Sequence, residues 1–348
     1  MRRKSRLIHV GGVPVGGLSP VTVQSMTNTK TSDIKATVDQ IRRLQDAGCD
    51  IVRIAVPDKS AANAIKDIVR MVQIPVIADI HYDYNLAIQA IENGVSGLRI
   101  NPGNIGSTSR VEKIVKAAKH SDIPIRIGVN SGSLEKDILD KYGQASAEAL
   151  VESALRHVSI LEKLGFYQIK ISLKASEVLN CVKAYRIIAD KVDYPLHLGV
   201  TEAGTFTAGT VKSSIGIGSL LMEGIGDTIR VSLTDDPVKE VEVGKEILRA
   251  VGLYNEGVEV ISCPTCGRCE IELVKIAQEV NDAVRGIKKP LKVAVMGCAV
   301  NGPGEAKNAD LGIAGGKGKG LIFKNGMIIR RVKEGELVSA LLEEIDKY

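Results

Sequence analysis

Four of the six cysteines of this chain lie in two short loops. Cys263, Cys266 and Cys269 follow one another at two-residue intervals in the run Ser-Cys-Pro-Thr-Cys-Gly-Arg-Cys-Glu, and Cys298 stands alone in the later run Gly-Cys-Ala-Val-Asn-Gly-Pro-Gly-Glu. Thiols spaced in this way can surround a single metal centre, and both structural zinc and iron–sulfur clusters use such loops. The choice between these two centres decides what chemistry the chain performs.

A zinc site is the simplest interpretation, because four thiolates satisfy a tetrahedral ion. Zinc ribbons usually bring two C-x2-C knuckles, whereas Cys298 is a single distal thiol in a glycine-rich loop that ends in the carboxylate Glu305. The triple spacing, the proline after Cys263 and the lone distal thiol favour an iron–sulfur cluster. A disulfide framework is not needed in a cytosolic chain of this size. Zinc stays open as the alternative.

The two loops resemble those of the 4-hydroxy-3-methylbut-2-enyl diphosphate synthase family, the reductases of the non-mevalonate isoprenoid pathway. The resemblance covers essentially the whole chain and implies a [4Fe-4S] cluster held by three thiolates and one glutamate. These ligands would be Cys263, Cys266, Cys298 and Glu305. Cys269 departs from the family pattern and is either a bystander or a rival ligand. Because a carboxylate is a harder ligand than a thiolate, Glu305 would be the ligand that exchanges, and we include it among the catalytic residues.

Composition and charge exclude several classes of function. The chain has 348 residues, 44% of them hydrophobic and 25% charged, as expected for a globular enzyme with one large and one small domain. The sequence contains no apolar run of the roughly 18 residues that a membrane span needs, and its basic start is too short and glycine-rich for a secretory signal. With a net charge of +5, no tryptophan and three phenylalanines, it lacks the features of a nucleic-acid surface. We expect a cytoplasmic enzyme that acts on a small molecule.

Short apolar runs alternate about eight times with amphipathic segments in the first part of the chain. The runs cover residues 21–26, 51–56, 75–80, 97–101, 124–129, 168–173, 195–200 and 228–233. Eight such units predict a (β/α)8 TIM barrel, with an N-terminal hairpin closing its bottom. A doubly wound sheet is the alternative, but no G-x-G-x-x-G motif follows the first strand. We expect the barrel at 1–250, a linker at 251–257 and a small α+β cluster domain at 258–348.

Six of the predicted strands place a basic residue between two apolar neighbours. These residues are Arg53, Arg99, Arg126, Lys170, His197 and Arg230. Since side chains alternate along a strand and the apolar neighbours pack against the helices, the basic residues should point into the barrel. Two acids at similar heights, Asp79 and Glu202, cannot balance them. The pattern therefore predicts a bound phosphate or diphosphate, with structural ion pairs as the alternative.

Polar residues also follow at the ends of the strands, where barrel enzymes hold their chemistry. The predicted substrate site therefore includes Asn101, Asn130, Lys174, Ser232 and, from the second cysteine loop, Asn301. For His81, the sequence favours neither a hydrogen-bonded core histidine nor a ligand role. Cys49 and Cys181 are expected to be buried, unreactive hydrophobes.

The resemblance implies reductive ring opening and dehydroxylation of 2-C-methyl-D-erythritol 2,4-cyclodiphosphate to 4-hydroxy-3-methylbut-2-enyl diphosphate. It also implies two electrons delivered singly by ferredoxin or flavodoxin, and a catalytic Glu202 that protonates the departing hydroxyl. A salt bridge to Arg230 or Lys174 is the alternative for Glu202. The competing functions are a redox-silent phosphate-binding barrel of the dihydropteroate synthase type with a zinc ribbon, and a non-enzymatic electron carrier or cluster scaffold. A carrier has no use for a ring of cations.

The direction of the chain predicts a homodimer. Each barrel helix runs back from the mouth, so the eighth helix delivers the chain to the bottom face. A seven-residue linker at 251–257 reaches at most about 25 Å, so the cluster domain is expected to cover the barrel mouth of a partner in a head-to-tail two-fold dimer. The resemblance implies the same composite active site.

Overall fold

The structure is a computed structural model that describes residues 2–298, 304 and 306–348. Contacts divide the chain into two compact units, the first ending at Tyr254 and the second beginning at Asn255. In the part of the chain that is described, no helix is both long enough and apolar enough to cross a membrane.

The first unit opens with a hairpin and continues as repeated βα units. The hairpin strands are β1 (Ile8–Val10) and β2 (Val13–Val15). The later strands are β3 (Thr22–Met26), β4 (Ile51–Ala55), β5 (Val76–Asp79), β6 (Gly97–Ile100), β7 (Ile125–Asn130), β8 (Ile169–Lys174), β9 (His197–Leu198) and β10 (Thr228–Ile229). The helices are α1 (Ile34–Asp46), α2 (Lys59–Met71), α3 (Tyr84–Glu92), α4 (Pro102–Ile105), α5 (Thr108–His120), α6 (Lys136–Tyr142), α7 (Ala147–Lys163), α8 (Val178–Ala189), α9 (Phe206–Met222) and α10 (Pro237–Ala250).

The eight later strands form one parallel sheet in the order β8-β7-β6-β5-β4-β3-β10-β9. A parallel bridge between Ile171 and Leu196 joins the two ends of this order, and the Ile171 N–H donates to the Pro195 carbonyl at 3.0 Å. The predicted TIM barrel is thereby confirmed. Strands β9 and β10 have only two residues each and are shorter than the runs predicted from the sequence.

Local signals explain where the helices begin. Asp33 and Asp58 accept hydrogen bonds from the backbone N–H groups three residues on, at the starts of α1 and α2, and Asp236 caps α10, whose first residue is proline. Such caps satisfy N–H groups that have no partner within the helix. Each helix then buries an apolar stripe against the outward-facing isoleucines and valines of the barrel strands.

The N-terminal hairpin closes the start of the barrel strands, as predicted. Its side chains Ile8, Val10 and Val15 form a buried cluster with Ile51 and Ile77 of β4 and β5. The opposite end of the barrel, where the strands finish, is left for the site.

The second unit is a five-stranded sheet packed against helices. Its elements are β11 (Val258–Ser262), α11 (Leu273–Ala283), β12 (Leu291–Met296), β13 (Leu311–Gly316), β14 (Lys319–Lys324), β15 (Met327–Lys333) and α12 (Leu337–Asp346). The strand order is β11-β12-β13-β14-β15, with the first three strands parallel and the last two antiparallel. Residues of α11 and α12 form one core with β12, β13 and β14. This is the predicted α+β arrangement.

Candidate active site

The barrel contains a cavity of about 160 Å³ where its strands end. Its lining is almost entirely polar and consists of Arg53, Asp79, His81, Arg99, Arg126, Asn130, Ser172, Lys174, Thr201, Arg230 and Ser232. Four arginines and one lysine thus face a single carboxylate. An imbalance of this kind inside a barrel favours an anionic ligand.

Strand register explains why these cations converge. Arg99 is paired with Asp79 of β5 on one side and with Arg126 of β7 on the other, and Arg126 is paired with Lys170 of β8. Neighbouring strands in register point their side chains to the same face of the sheet. A glycine in the next inward position makes room, because a Cβ at Gly128 would lie 2.5 Å from Nε of Arg99. The inward cations are therefore a consequence of backbone geometry.

Asp79 is the centre of the ion pairs in the cavity. Its Oδ1 lies 3.0 Å from Nη1 of Arg99 and 3.5 Å from Nε2 of His81, and its Oδ2 lies 3.7 Å from Nε of Arg53. Burial alone would raise the pKa of Asp79, but Arg53, the hydrogen bond from His81 and the charge of Arg99 together hold this pKa well below its usual range. One ionised carboxylate is thus shared among three groups, and Arg126 and Lys174 form no ion pair among the described residues.

Several buried donors inside the barrel, most of them in the cavity wall, have no hydrogen-bond partner among the described atoms. They include Nε of Arg99, Nε and Nη1 of Arg126, Nζ of Lys170 and Nε of Arg230. Burial, followed by the charges of Arg53 and Arg99, lowers the pKa of Arg126 well below its ordinary value. Burial, followed by the charge of Arg126, lowers the pKa of Lys170 to about 7. Buried donors normally have partners, so these groups are suited to the oxygens of an anion.

A carboxylate that the sequence analysis overlooked balances one of the cations. Oε1 of Glu240, on α10, lies 3.2 Å from Nη2 of Arg230 and accepts from the backbone N–H of Leu233 at 3.0 Å. Its Oε2 accepts from Ser25 at 3.0 Å. The sequence offered one signal for this role: Glu240 lies on the buried face of its helix, beside Val241. The sequence analysis weighed two acids, Asp79 and Glu202, against the inward-facing basic residues. Glu240 is a further acid that this count left out.

Most of the predicted substrate residues meet in the cavity. Arg53, Arg99, Arg126, Asn130, Lys174, Arg230 and Ser232 line it. Four residues that the predicted site omits also line it, namely Asp79, His81, Ser172 and Thr201. Side-chain alternation along the strands predicts an inward position for Asp79 and Ser172. Asp79 lies two residues before His81, and Ser172 lies two residues before Lys174.

Three predicted substrate residues do not line the cavity. Asn101 uses its side chain to cap α4, where Oδ1 accepts from the Gly103 N–H at 3.1 Å. Lys170 and His197 are buried, with exposed fractions of 1% and 0%, and Nδ1 of His197 lies 2.5 Å from the hydroxyl of Thr228. Asn301 lies outside the described residues. A direct contact of these four with substrate stays a prediction.

Glu202 lies in the loop after β9, directly after the cavity residue Thr201. Its side chain is exposed, and its backbone has a φ of +53°, in the left-handed region that residues other than glycine rarely adopt. None of the ion pairs among the described residues includes Glu202; Arg230 pairs with Glu240 instead. Such strain is concentrated at functional sites, which favours the catalytic interpretation over the salt bridge.

The two cysteine loops begin at the same edge of the sheet in the second unit. Strands β11 and β12 are parallel neighbours, and they lead into Cys263 and Cys298. The Gly297 N–H donates to Sγ of Cys263 at 3.2 Å, and the Glu270 N–H donates to the Gly297 carbonyl at 3.1 Å. Hydrogen bonds to thiolate sulfur are among the features that tune iron–sulfur centres. The donor set and this N–H···S contact fit a sulfur-ligated cluster.

Cys269 has a local role in the first loop. Its thiol donates to the Ile271 carbonyl at 3.2 Å, and its N–H donates to the Cys266 carbonyl at 2.9 Å. Glu305 lies outside the described residues. Within residues 2–298, 304 and 306–348, no three His, Cys, Asp or Glu side chains converge as metal ligands.

The two remaining cysteines are structural, as predicted. Cys49 and Cys181 have exposed fractions of 3% and 2%, and burial raises the pKa of the Cys49 thiol to about 12. Neither thiol is available as a nucleophile at neutral pH.

Fold and site together define a class: a TIM-barrel enzyme with a cavity lined by cations, followed by a small domain that presents cysteine loops. Residues 5–245 match the GcpE TIM-barrel domain, and residues 259–347 match the GcpE protein C-terminal domain. The chain belongs to the GcpE family, the 4-hydroxy-3-methylbut-2-en-1-yl diphosphate synthases. This confirms the family, the fold class and the oxidoreductase class predicted from the sequence.

Relatives match over their full length. The 4-hydroxy-3-methylbut-2-en-1-yl diphosphate synthase (flavodoxin) of Clostridium acetobutylicum is 64% identical over 345 residues, with 99% of both chains covered. The protein of the same name from Caldanaerobacter subterraneus subsp. tengcongensis is 62% identical over 347 residues, covering 100% of this chain and 98% of the relative.

Solved structures with similar folds are far more distant in sequence. Dihydropteroate synthase from Stenotrophomonas maltophilia has a TM-score of 0.52 at 14% identity, covering 71% of this chain and 98% of that one. 3-Dehydroquinate dehydratase from Geobacillus kaustophilus has a TM-score of 0.51 at 14% identity, covering 72% of this chain and 100% of the other. At this identity the likeness shows the barrel fold alone.

Proposed function

We propose that this chain reduces 2-C-methyl-D-erythritol 2,4-cyclodiphosphate to 4-hydroxy-3-methylbut-2-enyl diphosphate in the non-mevalonate isoprenoid pathway. The observation that carries the proposal is the cavity in which four arginines and a lysine surround one shared carboxylate. Such a site recognises a compact dianion, and a cyclic diphosphate is one. The names of the full-length relatives support the same product.

The cavity residues would bind and orient the diphosphate. Arg126 and Lys174 pair with no acid in the part of the chain that is described, so their donors would be available to hold phosphate oxygens. Arg53 and Arg99 are held in place by Asp79 and supply the remaining charge. Arginine grips two oxygens at once, while Asn130 and Ser232 offer neutral hydrogen bonds. Desolvation inside the barrel strengthens each of these interactions.

Glu202 would act as the acid for the hydroxyl that leaves. The reaction breaks the C–O bond to one ring phosphate and expels one hydroxyl as water, while the carbon skeleton takes up two electrons. A proton must reach the leaving oxygen, and the carboxyl of Glu202 is a donor next to the cavity. Its left-handed backbone is consistent with a side chain held for this task.

The cysteine loops would hold a [4Fe-4S] cluster through Cys263, Cys266, Cys298 and Glu305. When bound, such a cluster supplies the electrons one at a time. A flavodoxin, the donor printed in the names of the relatives, or a ferredoxin would provide them. The Gly297 N–H would stabilise the Cys263 thiolate. We place the reaction in the cytoplasm, where a small soluble donor can reach the protein.

The working unit would be a homodimer with a composite active site. Helix α10 ends at Ala250 and β11 begins at Val258, so seven residues separate the barrel from the next strand. In a TIM barrel that helix ends at the bottom face, opposite the mouth. The cysteine loops would therefore cover the barrel mouth of a head-to-tail partner more easily than the mouth of their own barrel. The cavity and Glu202 would come from one protomer and the cysteine loops from its partner.

The reaction itself can be tested with protein purified and reconstituted without oxygen. We expect about four irons and four sulfides per chain, as the cluster formula requires, and conversion of the cyclodiphosphate when dithionite and a viologen mediator supply electrons. Mass spectrometry identifies the product. Zinc without labile sulfide, or no conversion by fully loaded protein, would overturn the proposal in favour of a redox-silent barrel.

The composite site can be tested with a mixed dimer. A Cys298→Ala chain and a Glu202→Ala chain, each with its own tag, are co-expressed and isolated as the heterodimer. One of its two sites then pairs an intact barrel with intact cysteine loops, so up to about half of wild-type activity should return. A heterodimer as inactive as its two parents would show that each chain serves its own barrel.

A further inference from the structure

The outer strands of the second unit carry a group of cations on one face. We define the hairpin surface as Lys319 and Leu321 of β14 together with Ile328, Arg331 and Lys333 of β15. The three cations are exposed, and none of them takes part in the ion pairs found among the described residues of this unit. What distinguishes this group from other unpaired surface cations of the unit is that strand pairing places its members side by side on one face.

Strand pairing places these side chains together. Lys319 lies directly opposite Lys333, and Leu321 lies opposite Arg331. Residues opposite one another share a face of the sheet, and like charges in this position are destabilising. The adjacent residue Arg330 alternates to the other face, where it pairs with Glu343 of α12 at 2.6 Å. The sheet thus separates a neutralised face from a cationic one.

The cationic face is open at its outer edge. Ile322 and Val332 point to the opposite face and join the core formed with α11 and α12. β15 is the last strand of the sheet, and Val332 is its single buried residue. Met327 and Ile328 are 70% and 47% exposed. A free strand edge and exposed apolar side chains are features of a protein-binding surface, and the neighbouring cations would select an acidic partner.

The hairpin surface lies at the end of the sheet that bears the cysteine loops. β13 runs parallel to β12 and ends at Gly316, and the chain returns at Lys319. Gly315 packs closely against Ile271 of the first loop, since a Cβ there would lie 2.6 Å from that side chain. Lys319 and Lys333 therefore lie at the same end of the sheet as the cysteine loops, two and three strands away from β12.

Two acids at this end of the sheet accept hydrogen bonds from backbone groups, while Glu270, near Gly316, forms no ion pair among the described residues. Glu334 accepts from the N–H of Glu272 at 3.4 Å, and Glu336 accepts from the N–H of Lys333 at 3.2 Å. Both belong to the turn that leads into α12 on the opposite face. They leave the three cations of the hairpin surface available to an outside partner.

We infer that the hairpin surface docks the acidic face of the redox protein that delivers electrons to the cysteine loops. This inference rests on the proposed function and names the place where its electron donor binds. Electron-transfer complexes are small and transient, and opposite charges steer their formation. A patch of unpaired cations at the same end of the sheet as the cysteine loops meets both requirements, and flavodoxin, printed in the names of the relatives, supplies the probe.

The test measures binding of flavodoxin to the full-length cluster-loaded protein by surface plasmon resonance at several salt concentrations. Lys319→Glu, Arg331→Glu and Lys333→Glu together should raise Kd at least about tenfold at low salt and remove most of its salt dependence. The KM for flavodoxin should rise in parallel, while turnover driven by dithionite is unchanged. Iron and sulfide content should also stay at the wild-type level.

A matched control exists in the same unit. Arg285→Glu, Lys288→Glu and Lys289→Glu reverse one arginine and two lysines that are equally exposed but precede β12, at the opposite end of the parallel strands. We expect this control to bind flavodoxin within about twofold of wild type, since its charges lie far from the proposed surface. The triple glutamine variant of the hairpin surface repeats the test should the charge-reversed protein fail to fold.

Three outcomes would overturn the inference. The first is unchanged flavodoxin affinity in both hairpin variants, and the second is no binding to wild type at any salt concentration. The third is a wild-type dimer that dissociates in the hairpin variants, measured by sedimentation velocity. This result would show that the surface contacts a second copy of the chain. Failure of wild type to convert the cyclodiphosphate with dithionite would instead refute the proposed function, and the binding measurement is independent of it.

Discussion

The barrel cavity and the cysteine loops solve opposite problems. In the barrel, Arg126 and Lys174 are buried, and adjacent strands in register hold the cations before any ligand binds. In the second unit, Cys266 is exposed and Cys263 and Cys298 are half-buried on loops. The barrel holds buried cations together at an electrostatic cost that a bound anion would relieve, whereas thiolate ligands on loops would couple metal binding to folding. The fold thus preorganises the cavity, and the proposed redox centre would depend on assembly.

The largest effect should come from the loops. Cys263→Ser, Cys266→Ser and Cys298→Ser each remove a proposed ligand, so iron content and activity should fall to background while the barrel stays folded by circular dichroism. Cys269→Ser is the matched control, because the Cys269 thiol already donates to Ile271. Loss of iron in Cys269→Ser, together with full turnover in Glu305→Ala, would show that four cysteines hold the centre.

Glu202→Gln should separate chemistry from binding. The amide keeps the size of the side chain but cannot supply a proton, so kcat should fall about 10²-fold to 10⁴-fold. Substrate affinity by calorimetry and iron content should stay near wild type, because Glu202 does not line the cavity. A variant that loses affinity and keeps kcat would make Glu202 a binding residue.

Substitutions of the barrel arginines should weaken binding but not the fold. Arg99→Ala or Arg126→Ala forfeits charge-assisted hydrogen bonds of about 1.5 to 3 kcal/mol each, so affinity should drop at least about tenfold. Arg126→Met should do the same and leave the thermal midpoint unchanged or higher, since it removes a charge buried among like charges. Exposed Arg70→Ala is the control. Unchanged affinity in both alanine variants would refute the cationic site.

The smallest effect concerns pH and the deep residue Lys170. Burial and the charge of Arg126 lower its pKa from 10.5 to about 7, so between these values the unfolded chain binds more protons than the native one. The free energy of unfolding should therefore rise with pH from about 7 to about 10, by at most about 1.4 kcal/mol per pH unit. Lys170→Met should flatten this part of the curve relative to wild type. Parallel curves would show that Lys170 keeps its charge.

Much of the barrel was predictable because its causes are local. Alternation along a strand determines which side chains face inward, and it identified Arg53, Arg99 and Arg126 as cavity residues without knowledge of their neighbours. The spacing of Cys263, Cys266 and Cys269 likewise pointed to the second unit, since cysteines at such short intervals are typical of a metal-binding loop. Both patterns repeat within a few residues, and that is the range over which a sequence can be interpreted directly.

Tertiary structure decided the rest, because those features depend on distant parts of the chain. Glu240 reaches Arg230 from a helix, and the side-chain oxygen of Asn101 caps α4. The cationic face of the hairpin surface exists only because β14 and β15 pair in a register that sets Lys319 against Lys333. Charge balance and strand register are properties of contacts in space, and no periodicity along the chain determines them.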